Sequence, residues 1–210
     1  MSEVFEKSLR RVLELASSDA PAPGGGSVSA LAACFGLSMT VMVGSLTIGK
    51  KKYHTVEAEA KKIVITAKKL ADRLESLVQE DMDVFSRFMT AMALPKNTPE
   101  EQNFRGAAME EALHFATETP LEIARVCLDA MQLTLRIAVI GNKTAISDAG
   151  VAVLLLDSAL NGALLNVEAN TCMLKDQTYS ELVKKESETL SAQAADIKQE
   201  AIRVVQSRIE

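Results

Sequence analysis

The chain has 210 residues, a formal net charge of −5, and is 48% hydrophobic but only 4% aromatic. A core without Trp, built from Ala, Leu, Val, Ile and Met, argues against a β-sandwich and for close-packed helices in one soluble domain. The acidic balance leaves no basic field for nucleic acid, and three cysteines (Cys34, Cys127, Cys172) without CxxC spacing rule against a disulfide framework and read as reduced, buried residues of a cytoplasmic protein.

Val4 to Ser17 sets Phe5, Leu9, Val12, Leu13 and Ala16 on one helical face with charges opposite, the pattern of a surface helix packed on a core. This charged start has no apolar signal-peptide centre, so export is not expected. From Ala20 to Gly49 there is no Asp, Glu, Lys or Arg, a stretch long enough to span a bilayer. It is rich in Gly, Ala, Ser and Thr and opens with Pro21, Pro23 and three glycines, so a buried core helix from Ser27 to about Thr47 is expected, and no membrane span. Its Ala33, Gly36, Thr40 and Gly44 would let a neighbouring backbone come close.

Val56 to Leu94 reads as one long helix: Ile63, Ala67, Leu70, Leu74 and Leu77 form a seam that continues in Phe85, Phe88 and Met92, and Pro95 ends it. Thr98-Pro99-Glu100-Glu101 is a helix start with a capping box. Thr119-Pro120-Leu121-Glu122 repeats the signature and predicts another start, with Ala124, Leu128, Met131, Leu135 and Ala138 on one face. Gly141-Asn142 stops that helix, Ser147-Asp148 is placed to cap a very apolar one reaching about Leu174, and Ser180 to Ile209 is amphipathic through Leu190, Ala194, Ile197, Ala201 and Val204. The expected fold is all-α: an antiparallel bundle of about seven helices with two very apolar central helices, a single domain over 1–210.

Several positions carry chemistry. The Pro-Ala-Pro-Gly-Gly-Gly-Ser run at 21–27 leads flexible backbone amides into a helix N-terminus, where a ligand's anions and carbonyls are stabilised; a plain connection would not need three glycines. Gly44 to Lys51 matches a phosphate-binding loop up to its lysine, but Lys51 stands where Ser or Thr is required and no strand precedes it, which excludes nucleotide hydrolysis. Lys50, Lys51, Lys52 and Tyr53 make either a solvated helix end or a clamp for a polyanionic tail. Asp81 extends the Ile63 to Leu77 seam by four and falls on the apolar face. Burial there raises a carboxyl pKa, as a general acid/base near neutrality requires, unless Asp81 instead forms a buried polar pair with a lysine or asparagine. Asp83 lies off the seam. Asn142, Lys143, Ser147 and Asp148 form a polar turn, and Asp157, Asn161, Asn166 and Asn170 recur in the apolar helix after it, where amides need partners in a heterocycle or another subunit. His54 and His114 are too isolated for a metal site, and no metal is expected.

Pro23-Gly-Gly-Gly-Ser27 with Leu46-Thr-x-Gly-Lys-Lys-x-Tyr53 resembles the opening signature of the formiminotransferase-cyclodeaminase C-terminal domain and its stand-alone relatives, the methenyltetrahydrofolate cyclohydrolases. Asp81 with Phe85, Met89, Ala91 and Leu94-Pro95-Lys96 resembles a second block. Pro120, Gly141-Asn142, Ser147-Asp148 and Gly162 through Asn166-Val167 to Asn170 resemble a third, while Lys143-Thr144 stands where relatives often have a further asparagine. The resemblance implies a homodimer holding a folate substrate in a crevice, with no metal or tightly bound cofactor. It implies Asp81 as the catalytic carboxylate, with Pro23, Gly24, Gly25, Gly26, Ser27, Lys50, Lys51, Lys52, Tyr53, Asn142 and Asp148 as folate-binding positions. Two reactions fit it: hydrolysis of 5,10-methenyltetrahydrofolate, or closure of 5-formiminotetrahydrofolate with loss of ammonia. The lack of an attached formiminotransferase segment sets cyclohydrolase as the first expectation. A helical module that binds an anionic ligand without catalysis is the alternative of another class.

Overall fold

A computed structural model describes residues 3–20 and 22–210, and among these there are six α-helices, two 3₁₀ turns and no strand. The helices are α1 (Leu9–Ala16), α2 (Gly25–Thr47), α3 (Glu57–Met92), α4 (Pro99–Ile140), α5 (Ile146–Thr171) and α6 (Gln177–Ile209).

Close approaches fix the directions. Along α2, Gly26 lies against Asp81 and Gly44 against Ala60 and Val64, so α3 runs antiparallel to it. Gly25 meets Asn166 and Gly36 meets Ala152 and Leu156, so α5 is antiparallel as well. The Thr40–Thr134 hydroxyl pair (2.7 Å) and the bond from the Asn142 amide to Thr47 Oγ1 (2.8 Å) make α4 parallel to α2. Helix α6 closes the bundle along α5 through Lys198–Asp157 (2.7 Å), and along α4 through Arg125, which holds Glu118 and Glu122 of its own helix and Glu186 of α6. The core runs between the helices through Leu37, Leu74, Leu77, Met131, Leu156 and Leu160.

The two apolar central helices are α2 and α5. Each is long and apolar enough to cross a bilayer, and about half of each is covered by neighbouring helices. Both also leave apolar side chains uncovered: Val28, Phe35 and Leu46 on α2, and Val151, Leu154 and Leu165 on α5.

The count is six because the expected start at Thr119-Pro120 is not one. Helix α4 runs through Pro120, which lacks an N–H and orphans the carbonyl of Ala116 four residues back. Asn170 of α5 donates its Nδ2 to that carbonyl at 2.6 Å, and the Thr119 hydroxyl bonds back to Phe115 without capping anything. The first helix is also shorter than expected: Ser8 caps it by accepting from the Arg11 amide, residues 3–8 precede it, and Val4 and Val12 are buried while Leu9 and Leu13 are each 61% exposed. Helix α2 begins two residues before Ser27. Ser147 and Asp148 are not caps, because a 3₁₀ turn over Lys143–Ala145, capped by Asn142, runs straight into α5 and places them in its first turn. The Thr98–Glu101 capping box is present. Of the three free cysteines, Cys127 is buried and Cys34 half-buried, but Cys172 is exposed where α5 ends.

Candidate active site

Asp81 sits where the α3 seam leaves the core. Leu74 and Leu77 below it are fully buried; Asp81 is half-buried, and Phe85, Met89 and Met92 beyond it are exposed on a stretch of α3 that outruns the start of α2. Its carboxylate lies across the first turn of α2. Ser27 Oγ donates to Asp81 Oδ2 at 2.6 Å, and at Gly26 any side chain would occupy the carboxyl's place. Gly24, the N-cap of α2, offers no side chain, and the amides of Gly25 and Gly26 precede any intrahelical partner, so the positive end of the helix opens beside the carboxylate. Burial pushes the Asp81 carboxyl above the usual carboxylate range, and the Ser27 hydroxyl and backbone amide hold it back part of the way. The sequence left a lysine or asparagine open as its partner; the partner is a serine.

Asn166 of α5 completes this end. Its carboxamide lies 3.1–3.2 Å from where a Cβ on Gly25 would stand. Pro23 is buried and Gly24 exposed at the same end, while Pro21, part of the expected binding loop, lies outside the described residues.

The other expected positions gather elsewhere. Asn142 is engaged on every side: its Nδ2 donates to the Leu46 carbonyl (2.9 Å), its backbone amide donates to Thr47 Oγ1, and its Oδ1 accepts from the Thr144 amide (3.0 Å) and the Tyr53 hydroxyl (3.5 Å). That hydroxyl accepts in turn from the Lys143 amide (2.9 Å). Lys50, Lys51 and Lys52 are exposed beside this knot, and Asp148 is half-buried in the first turn of α5. The knot closes the C-terminal end of α2, and at about 1.5 Å per residue it lies roughly 30 Å from Gly26. Within one chain, then, the expected folate positions form two clusters: Pro23 to Ser27 with Asp81, and Lys50 to Tyr53 with Asn142 and Asp148.

Two contributors had no clear signal in the sequence. Arg208, in the last turn of α6, donates to the carbonyls of Ala138 and Gly141, satisfying the end of α4 and fixing the turn that carries Asn142. Asn166 was one of several asparagines, and only its place against Gly25 distinguishes it. Cavity shape alone points away from both clusters. A groove of about 600 Å³ between α5 and α6, lined by Asn161, Leu164, Lys184 and Ser191 among others, includes neither Asp81 nor the glycines. Chemistry places the site instead: among the described residues, Asp81 is the carboxyl that burial raises and that lies against an uncapped helix start.

A family model described as formiminotransferase-cyclodeaminase matches residues 8–189. A methenyltetrahydrofolate cyclohydrolase of Methylorubrum extorquens is 39% identical over 203 residues, covering 97% of this chain and 98% of that protein. A formimidoyltransferase-cyclodeaminase of Mus musculus is 31% identical over 97% of this chain, which spans only 37% of the mouse protein. The crystal structure of formiminotetrahydrofolate cyclodeaminase from Thermotoga maritima matches with a TM-score of 0.88 at 26% identity, covering 99% of this chain and 100% of that one. With the family's pattern running through residues 8–189 and a relative matched almost end to end, this chain belongs to the formiminotransferase-cyclodeaminase family.

Proposed function

We propose that this protein is a folate one-carbon enzyme, a methenyltetrahydrofolate cyclohydrolase in which Asp81 is the general acid/base. The observation that carries the reading is the carboxylate itself, half-buried at the open start of α2 and held by Ser27. The nearly full-length match to a cyclohydrolase supports the choice of reaction. Ionised Asp81 faces the cationic methenyl carbon and offsets its charge. Water adds to that carbon and gives one proton to Asp81. The bond from carbon to N5 then breaks, N5 takes a proton from Asp81, and the remaining hydroxyl proton leaves to solvent, so hydrolysis releases one proton and 10-formyltetrahydrofolate.

A second reading has its own support, since the Thermotoga maritima protein, matched along its whole length, is a formiminotetrahydrofolate cyclodeaminase. There N10 attacks the carbon of the protonated formimino group, and Asp81 carries the N10 proton to the amino nitrogen, which leaves as ammonia and gives the methenyl cation. The methenyl chromophore separates the two: it disappears faster than in buffer for a cyclohydrolase supplied with methenyltetrahydrofolate, and grows for a cyclodeaminase supplied with 5-formiminotetrahydrofolate. No enzyme-dependent change with either substrate overturns both and leaves the non-catalytic anion-binding module.

The working unit in this reading is a homodimer. The uncovered apolar side chains of α2 and α5 lie on helices with few charges to keep them apart from a second copy. A two-fold axis crossing α2 near its middle reverses the helix and brings the lysine end of one protomer toward the Asp81 end of the other. Lys50, Lys51 and Lys52 then hold the glutamate tail of a folate whose ring lies at the partner's Asp81, with Asn142 and Tyr53 fixing the turn behind them. Mixing inactive Asp81→Asn with a lysine-neutralised variant tests this. With polyglutamylated substrate, shared sites give up to roughly a quarter of all sites the wild-type KM through heterodimers, whereas sites within one chain leave only the raised KM of the lysine variant. We also place the protein in the cytoplasm, with its cysteines reduced.

A further inference from the structure

Helix α5 carries three asparagines in its second half, and two of them bond to other helices. Asn161 Oδ1 accepts from Ser191 of α6 at 3.1 Å, and Asn170 satisfies the carbonyl that Pro120 orphans on α4. Asn166 differs. Its Nδ2 donates to the Gly162 carbonyl of its own helix at 2.8 Å, and among the described residues it makes no hydrogen bond to another element. Such an amide buys little for the fold, since Asn is a poor helix former and a back-bond within the helix adds nothing to tertiary structure.

Its position is nevertheless made for it. Gly25 and Gly26 are consecutive in the first turn of α2, and each leaves space taken by one polar side chain from a different helix: Asn166 from α5 beside Gly25, and Asp81 from α3 beside Gly26. The carboxamide and the proposed acid/base therefore flank the same first turn at the open helix end. The Gly162 carbonyl can only accept, so it fixes which way the amide points. Oδ1 and the second Nδ2 hydrogen remain, an acceptor beside a donor. A pterin ring presents the complementary pair on its pyrimidine edge, where a ring N–H adjoins a carbonyl.

We infer that Asn166 is a specificity-determining residue that hydrogen-bonds the polar edge of the substrate's pterin ring while Asp81 faces the reacting carbon. The inference rests on the folate reading above. It predicts that Asn166 reads the heterocycle and ignores the rest of the folate.

The test is Asn166→Ala, with calorimetric binding of tetrahydrofolate and of p-aminobenzoylglutamate, which carries the tail but no pterin. Alanine is the better helix former, so the variant should fold and melt no lower than wild type. Tetrahydrofolate should bind about ten-fold more weakly, the worth of one good hydrogen bond, while p-aminobenzoylglutamate binds as before. A variant that binds tetrahydrofolate as wild type does overturns the inference, and so does equal weakening of both ligands with a lowered melting temperature, which marks a structural amide. Wild-type protein that neither binds tetrahydrofolate nor turns over either folate fails at the earlier step, and that result is distinct because it needs no variant.

Discussion

The two ends of α2 are built on opposite principles. At its start, Gly24 gives no cap, Gly25 and Gly26 leave open amides, and the side chains brought there, Asp81 and Asn166, retain hydrogen-bonding capacity. At its end, Asn142, Tyr53, Thr47 and the Leu46 carbonyl bond to one another, and Arg208 closes the turn from outside. Polar groups of the second kind hold a shape, whereas groups of the first kind await a partner. One end is thus suited to chemistry, and the other presents exposed lysines on a rigid knot. An asparagine and a hydroxyl side chain stand at both ends, and for these it is connectivity that separates the two.

The largest effect expected from this contrast is at Asp81. Asp81→Asn keeps the size and polarity of the side chain but cannot take a proton, so turnover should fall by about a hundred- to ten-thousand-fold while helical content and folate affinity stay near wild type. Asp83→Asn is the control: Asp83 is exposed and among the described residues bonds only Gln79 of its own helix at 3.0 Å, so its loss should change little. If Asp81 served only to hold the start of α2, the pattern would reverse, with activity per folded molecule retained and the melting temperature lowered. Near-normal turnover by Asp81→Asn would sink the assignment and make Asp148 the next carboxylate to test.

A smaller, directional effect is expected at Ser27. As the base, Asp81 must be ionised, so the acid limb of kcat/KM should lie above the range of an ordinary aspartate, because burial raises this carboxyl. Ser27 stabilises the ionised form, so Ser27→Ala should move the acid limb to higher pH. Linkage gives the matching sign for stability. A carboxyl raised on folding contributes stability below its unfolded pKa and loses it as pH rises through the folded one, and Ser27→Ala should extend that loss to higher pH. An acid limb that stays in place would mean that Ser27 does not act on the catalytic ionisation.

What the sequence revealed follows the range of the signal. Thr98 and Glu101 form their capping box within four residues, so it was legible, and Asp81 was legible because the seam from Ile63 to Leu77 put a carboxylate on an apolar face. Pro120 misled because what rescues the helix is Asn170, 54 positions from the Ala116 carbonyl it satisfies, and no local pattern records that bond. Ser147 and Asp148 misled for a related reason, since Asn142 starts a 3₁₀ turn that begins the helix sooner. The resemblance implied Gly26 and Asn142 alike as folate positions. Only packing showed that one borders an open carboxylate and the other lies in a closed knot some 20 residues further along α2 in space, at about 1.5 Å for each.

The smallest expected effect belongs to the lysines, and it examines the knot end directly. Lys50, Lys51 and Lys52 are exposed, so whatever they contribute acts through a high dielectric and is screened over about 10 Å at 0.1 M salt. Neutralising two of them should raise KM for a polyglutamylated substrate by a few-fold, with kcat and the melting temperature close to wild type, because no bond of the knot is touched. The monoglutamate should be affected less, having fewer carboxylates to lose. Added salt should weaken the wild type toward the variant and barely change the variant itself, which separates an electrostatic contact from a general loss of shape. Equal losses for the two substrates, or none, would return the lysines to an ordinary solvated helix end, and the tail would then have to lie against another surface.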